Sequence, residues 1–555
     1  MRRFKFEAFT PKSVLCLRDY SVQTFLHDLT AGVTVGFVAL PLAMAFSIAS
    51  GLSPEAGLYC AVIAGFIISA LGGSRCQIGG PTGAFVVVVA GIVARYGIDG
   101  LFMCTLIAGV LLVILGMTGM GTVIQFIPRP VVIGFTNGIA VLIASTQIKD
   151  FFGLDVDKVP GEFLHRMQAL AQHWSTFDGV ATGLAVASLA FIVVMRRISN
   201  RIPGTVLALF GATAICWAAG LRIETIETRF GGIPVGLPHL HLPQFRPDLI
   251  LKLLSPAITV AMLGAIESLL SAVVADRMSG DRHNPNVELI GQGIANIMSP
   301  LAGGLPATGA IARTATNIRA GAKTPVAGMI HALTLLLIVL LAGPLAKHIP
   351  LAVLAAILMT VAYNMGEWQE IPDIVRLGKP AILVWLTTFA LTVFADLTVA
   401  VEAGMILAVL LFIRTVTSTT TVTRITKHDI EEGRKHSLQL HELPKGVAIY
   451  RIHGPFLFGS AEKLDVIEHE MDSLPEVVIL RLRNMTAIDA TGLHALESIA
   501  DRLRKAGRHV ILCGARSQPR RMMARADFQV HFGSQNICRH VSDALERARE
   551  LQTAS

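Results

Sequence analysis

Charge is what this sequence is short of. Only 15% of its 555 residues are Asp, Glu, Lys or Arg, where a soluble protein carries about 25%. The deficit argues against a large soluble core, whose elements would each need a polar face toward water. Ordered cysteine chemistry is missing too. Cys16, Cys60, Cys76, Cys104, Cys216, Cys513 and Cys538 are scattered, with no CxxC pair and no Cys/His cluster, so neither a disulfide framework nor a metal site is supported. The charged C-terminal stretch has no GxGxxG after a strand, no Walker A sequence and no nucleophile elbow; an enzyme and a bound cofactor are not expected. Met1 to His27 is basic and mixed, without the layout of a cleaved secretory signal, so the first apolar segment is expected to stay in the membrane. The net charge of +8 reads as the positive-inside bias of a membrane protein rather than as a nucleic-acid surface.

What fills the sequence instead is apolar. Hydrophobic residues make up 53% and the mean hydropathy is +0.60. Runs such as Leu29–Ala49, Leu101–Met117, Gly204–Ala219 and Met329–Leu345 are apolar all round, as segments crossing a ~30 Å hydrocarbon layer must be. Fourteen segments are predicted, beginning near Leu29, Pro54, Pro81, Ile98, Pro130, Asp178, Pro203, Pro256, Glu288, Thr308, Thr324, Pro350, Pro380 and Leu397. Lys and Arg cluster on one side, including Arg75, Arg129, Arg196, Arg201, Arg277, Arg319, Arg376 and Arg414; Lys149, Lys158, Arg222, Arg229 and Lys347 fall on the other. This bias places both termini in the cytoplasm, in a bacterial inner membrane, with the longer connections Asp150–Thr176 and Leu221–Lys252 outside.

Charge returns near Arg414: residues 416–555 hold 37 of the 86 ionised side chains. The expected division is an N-terminal cytoplasmic segment (1–28), a transport domain (29–415), a Thr/Ser-rich linker (416–437) and a soluble domain (438–555). In the last, Val447–Ile452, Val477–Leu482 and Val510–Cys513 read as strands, and Gly492–Ala506, Arg516–Ala526 and Ile537–Leu551 as helices, giving a small α/β sheet. Docking or regulation through a cytoplasmic partner is its expected role.

One phrase occurs twice. Gly79-Gly80-Pro81-Thr82-Gly83-Ala84-Phe85 returns as Gly303-Gly304-Leu305-Pro306-Ala307-Thr308-Gly309-Ala310-Ile311. Each copy interrupts an apolar region in the third of seven segments, and such matched interruptions are the best sequence pointer to a transporter's binding site. Glycine and proline stop one element, and the next opens with unsatisfied amides. Each helix start acts as about half a positive charge, so a facing pair suits an anion. Gly-Pro pairs also kink membrane helices without any such role; it is the matched pair that favours a site.

Glu267 lies mid-way along the eighth segment, where an ionised carboxylate costs at least ~2.5–3.5 kcal/mol. It is a candidate to carry a proton or hold a cation, with Ser271 one turn on along the same face; the alternative is a structural pair with Arg313. Arg313 itself has three readings: added charge at the anion site, neutralisation of Glu267, or a snorkel toward the cytoplasm beside Arg319. Asn137, Gln147, Gln292, Asn296, Asn364 and Asp396 are explained by interhelical hydrogen bonds.

With these residues in view, the chain resembles the SulP family of sulfate-permease-like anion transporters. The resemblance rests on Leu40–Ala45, Gly79–Phe85, Ile148–Phe151, Glu267–Ser271, Glu288–Asn296, Ala312–Gly321 and Asp489–Gly492, and it makes the soluble part a STAS domain. It implies fourteen helices in two inverted repeats of seven, core and gate domains, a homodimer and elevator-like alternating access. It also implies an anion between the third and tenth half-helices, at Thr82, Gly83, Ala84, Gly309, Ala310 and Ile311, with Leu42 and Phe46 as an apolar wall. Leucine at 42 replaces the glutamine of some relatives, which leaves more of the binding to amides. Glu267 and Ser271 occupy the coupling positions and point to a proton rather than sodium. Asp489 and Thr491 mark the STAS regulatory loop, where Ala490 replaces the phosphorylatable serine of stand-alone relatives; Thr491 is also a candidate helix N-cap. The expected function is secondary active transport of sulfate, bicarbonate or a four-carbon dicarboxylate. An uncoupled exchanger or channel is the alternative.

Overall fold

The computed structural model describes residues 9–122, 128–156, 159–198, 203–232, 246–395, 397–425 and 446–554. Asp396, Lys158 and Arg201, the centre of the Leu221–Lys252 connection, most of the expected linker and the first eight residues lie outside them. The chain divides into two compact units, Met1–Ile406 and Leu407–Ser555.

In the first unit, helices occupy every expected segment: α1 (Lys12–Cys16), α2 (Val22–Ala49), α3 (Pro54–Leu71), β1 (Gly79–Gly80), α4 (Gly83–Met117), α5 (Arg129–Phe152), α6 (Phe163–Gln172), α7 (Gly179–Ile198), α8 (Gly204–Ala219), α9 (Ile226–Phe230), α10 (Ile250–Ser279), α11 (Pro285–Leu301), β2 (Thr308–Gly309), α12 (Ile311–Arg319), α13 (Val326–Ala346), α14 (Leu351–Met365), α15 (Ile371–Arg376), α16 (Lys379–Phe394) and α17 (Leu397–Thr419), whose end belongs to the second unit. Nine helices among the described residues are long and apolar enough to cross a membrane.

Two boundaries differ from expectation. The first expected segment, α2, starts at Val22 rather than Leu29, because the Ser21 hydroxyl accepts from the Thr24 amide at 3.1 Å and caps it. The eighth expected segment, α10, starts at Ile250 and runs through Pro256, as membrane helices tolerate when neighbours absorb the freed carbonyl. The third and fourth segments form one continuous stretch broken at Gly97, whose φ of +74° is open to glycine and strained for other residues. Buried polar side chains knit the helices together. Asn296 bonds Ala307 through both its amide groups at 2.8 Å, and Trp385 donates to Asn137 at 2.8 Å. Gln147, by contrast, donates among the described residues only to its neighbour Thr146.

The second unit is a five-stranded sheet of order β3 (Thr421–Arg424), β4 (Val447–Phe456), β5 (Val477–Ile488), β6 (His509–Cys513) and β7 (Ile537–Cys538). β3 runs antiparallel to β4 and the rest are parallel. The alternation within each strand sets its two faces. Tyr450, Ile452, Val478, Leu480 and Leu482 pack under α18 (Asp465–His469), α19 (Ala490–Lys505), α20 (Ser517–Arg525) and α21 (Phe528–Phe532). Ile449, Ile479 and Ile511 meet Ala544, Leu545 and Ala548 of α22 (Val541–Ala554) on the other face. Two expectations are corrected. Thr421–Arg424, read as linker, is an edge strand, because its residues pair with Tyr450 to His453. Ile537 and Cys538, read as the start of a helix, pair with Leu512 and Cys513 before α22 begins at Val541.

Candidate functional site

The two copies of the repeated phrase lie side by side. Gly79 pairs with Gly309 and Gly80 with Thr308 as a two-residue antiparallel ladder, extended by the Ala310 amide donating to Ile78 O at 2.8 Å. From this crossing the chain enters α4 after Thr82 and α12 after Ala310. Neither helix start receives a side-chain cap, so first-turn amides remain for a ligand.

Thr82 stands at the N-cap of α4, where its hydroxyl would ordinarily accept from the first turn. Here it turns away and donates to Glu267 Oε2 at 2.9 Å. Arg313 is 2% exposed, and its guanidinium Nη2 donates to the Pro81 carbonyl. Thus a side chain of the second half-helix holds the backbone of the first. This overturns the snorkel reading. Among the described residues Arg313 and Glu267 make no direct ion pair, and Arg313 Nη1 has no hydrogen-bond partner.

A cavity of about 280 Å³ collects these groups. Thr82, Gly83 and Ala84 line it from one half-helix, Ala310, Ile311 and Arg313 from the other, with Glu267 between and Leu42 and Phe46 beside them. Phe135, Ile139, Val361, Asn364, Met365 and Glu367 close it from α5 and the end of α14. Gly309 and Ser271 do not line it. Gly309 lies behind the wall, where a Cβ would fall 1.6 Å from Gln77 Nε2 and where its amide donates to Ser268 Oγ at 3.1 Å. Ser271 faces Thr314, 3.1 Å away. The polar work behind the wall falls to Ser268, which also meets Thr308 Oγ1 at 2.7 Å, and to Gln77, which donates to Ser268 O at 3.1 Å. Sequence reasoning missed both. Ser268 lay next to Glu267 in plain sight, whereas Phe135 and Ile139 sit in an ordinary apolar run that carries no signal.

The profile of the sulfate permease family matches residues 25–388, and that of the STAS domain matches residues 441–544. The chain belongs to the sulfate permease family. It is 41% identical over 526 residues to the YvdB protein of Bacillus subtilis, covering 94% of this chain and 98% of that one. To the bicarbonate transporter BicA of Picosynechococcus it is 31% identical over 512 residues, covering 90% of each. In fold it matches the overall structure of SLC26A9 with a TM-score of 0.84 at 18% identity, over 97% of this chain and 93% of that one.

The loop of the STAS domain singled out in the sequence departs from expectation in one respect. Asp489, not Thr491, caps α19: its carboxylate accepts from the Gly492 amide at 2.8 Å and from the Phe458 amide at 2.9 Å. Thr491 is exposed in the first turn. Aspartate outranks threonine as a cap, and it stands one residue before the helix, where a cap belongs.

Proposed function

We propose that this sulfate permease family member is a secondary active transporter of a small anion, sulfate, bicarbonate or a four-carbon dicarboxylate, moved together with a proton. The observation that carries the reading is the shared cavity: two uncapped helix starts, Arg313 and Glu267 line one space, with Thr82 bonded to that carboxylate. The two starts supply about one positive charge and the guanidinium another. Ionised Glu267 cancels one of these, and its protonation restores it. Anion and proton therefore raise each other's affinity, and the coupling is reciprocal. Ser271 joins this step only through Thr314 and α12, as a positioning residue.

Carriage across the bilayer follows elevator-like alternating access. The half-helices and Glu267 form the moving part, and α5 and α14 form the facing wall. Two inverted repeats of seven helices, a homodimer, cytoplasmic termini and a bacterial inner membrane complete the reading, with the STAS domain open to a cytoplasmic partner. The name of the BicA relative supports bicarbonate among the substrates, and the name of the family supports sulfate. Uptake of labelled sulfate, bicarbonate and succinate into proteoliposomes, under separately imposed pH and sodium gradients, tests it. Accumulation driven by the pH gradient alone is expected. Flux indifferent to both gradients would instead establish an uncoupled exchanger or channel.

A further inference from the structure

The second unit carries a charged face that transport does not use. Arg516, Arg520, Arg521 and Arg525 lie within ten residues at α20, all exposed, and the segment from Gly514 to Ala526 contains no acid. Several other arginines of this unit are paired with carboxylates: Arg502 meets Glu468 at 2.6 Å, Arg504 meets Asp501 at 3.6 Å and Arg547 meets Glu550 at 2.8 Å. Among the described residues the α20 arginines make no such pair. Arg516 and Arg521 each give one Nε–H to a backbone carbonyl, of Arg483 at 2.9 Å and Ser517 at 3.2 Å, which fixes the side chains without neutralising them.

Where this face lies within the unit decides what it meets. The apolar span Val399–Thr419 enters the sheet at the carboxyl ends of the parallel strands. There Thr417 Oγ1 donates to Phe458 O at 3.4 Å and Thr420 Oγ1 to Pro455 O at 2.6 Å. Phe458 is 67% exposed, and its amide is held by Asp489. One residue before Asp489, Ile488 is clamped by Gln518 of α20 through bonds of 3.0 and 2.8 Å. A series of hydrogen bonds thus leads from the end of the membrane helix, through the backbone of Phe458, whose ring is exposed, to the basic helix.

We propose that this edge of the STAS domain docks on the anionic lipid headgroups of the bilayer that its own helix leaves, with Phe458 entering the interface and the α20 arginines contacting phosphates. Clustered basic residues next to a membrane helix are drawn to anionic lipid, and an aromatic ring suits the interfacial layer. The inference rests on α17 spanning the membrane. It is independent of which ion or anion is carried.

The test uses the full-length protein in nanodiscs of phosphatidylcholine alone, or of equal parts phosphatidylcholine and phosphatidylglycerol, with hydrogen exchange followed by mass spectrometry. Exchange in residues 456–460 and 516–526 is expected to slow about fivefold or more in the anionic discs, since one arginine near such a surface shifts docking by about that factor. The difference should vanish at about 1 M salt, where the Debye length is ~3 Å, and in the quadruple variant R516Q/R520Q/R521Q/R525Q. Equal exchange in the two lipids overturns the proposal, and needs no variant to do so. So does protection that survives the four substitutions, or protection in zwitterionic discs by soluble glycerol phosphate or an acidic peptide, which would indicate a small-anion or protein site. Labelled-anion uptake by the same preparation reports separately on transport.

Discussion

Replacing Glu267 with glutamine keeps the side chain's shape and its acceptor for Thr82 but removes one negative charge from the cavity wall. Thr82 Oγ1 is 2.9 Å from Glu267 Oε2. An anion on the amides just beyond Thr82 would lie about two to three hydrogen-bond lengths from the carboxylate, ~7 Å. Two unit charges at that separation, at an effective dielectric constant near 20, repel by about 2.4 kcal/mol. That is about 50-fold in affinity. In the wild type, anion affinity should therefore fall as pH rises and Glu267 ionises. The Glu267→Gln variant should hold the tighter affinity throughout, up to about 50-fold above wild type at alkaline pH. Accumulation driven by a pH gradient should be lost while anion-for-anion exchange persists. Binding isotherms across pH, paired with proteoliposome uptake, read both quantities. Wild-type-like accumulation by a well-folded variant, or a wild-type affinity flat with pH, would refute the coupling assignment.

Other expectations concern the scaffold. Gly309→Ala places a Cβ on Gln77 Nε2 and should destabilise the protein by about 1–3 kcal/mol, seen as a lowered melting temperature; adding Gln77→Ala should recover part of the loss. Arg313→Met removes the donor to Pro81 O, costing about 1–3 kcal/mol for the buried carbonyl left unsatisfied and weakening anion binding in the same titration. Asp489→Ala should cost about 1 kcal/mol as a lost cap and speed amide exchange at Phe458 and Gly492, with anion binding unchanged.

The parts of the fold that depend on local chemistry were legible in the sequence. Apolar runs gave the helices their places, and the doubled Gly-Pro phrase marked both half-helix starts, since proline and glycine punctuate a chain wherever they fall. Pairing between distant segments was not legible. That Gly79 meets Gly309, and that Ser268 and Gln77 fill the space behind them, depends on contacts across roughly two hundred residues of sequence. Helical spacing put Glu267 and Ser271 on one face, which is true of α10 alone; α12 packs across that face and takes Ser271 for Thr314. Thr421–Arg424 alternates as a strand should, but a four-residue edge strand inside a Thr/Ser-rich run gains its identity only from β4. The Asp489 cap was readable from residue type, because aspartate caps better than the threonine two positions on.

Both half-helices should serve one anion site. Ala84→Cys and Ala310→Cys each put a thiol on the cavity wall, one from either half-helix. Their alkylation by a small thiosulfonate in membranes, each in a background lacking the native cysteines, can be followed against rising sulfate, bicarbonate or succinate. A single anion should protect both positions over the same concentration range, and more effectively at acidic pH. Protection of one position without the other, or of neither by any anion that the protein transports, would contradict a shared site.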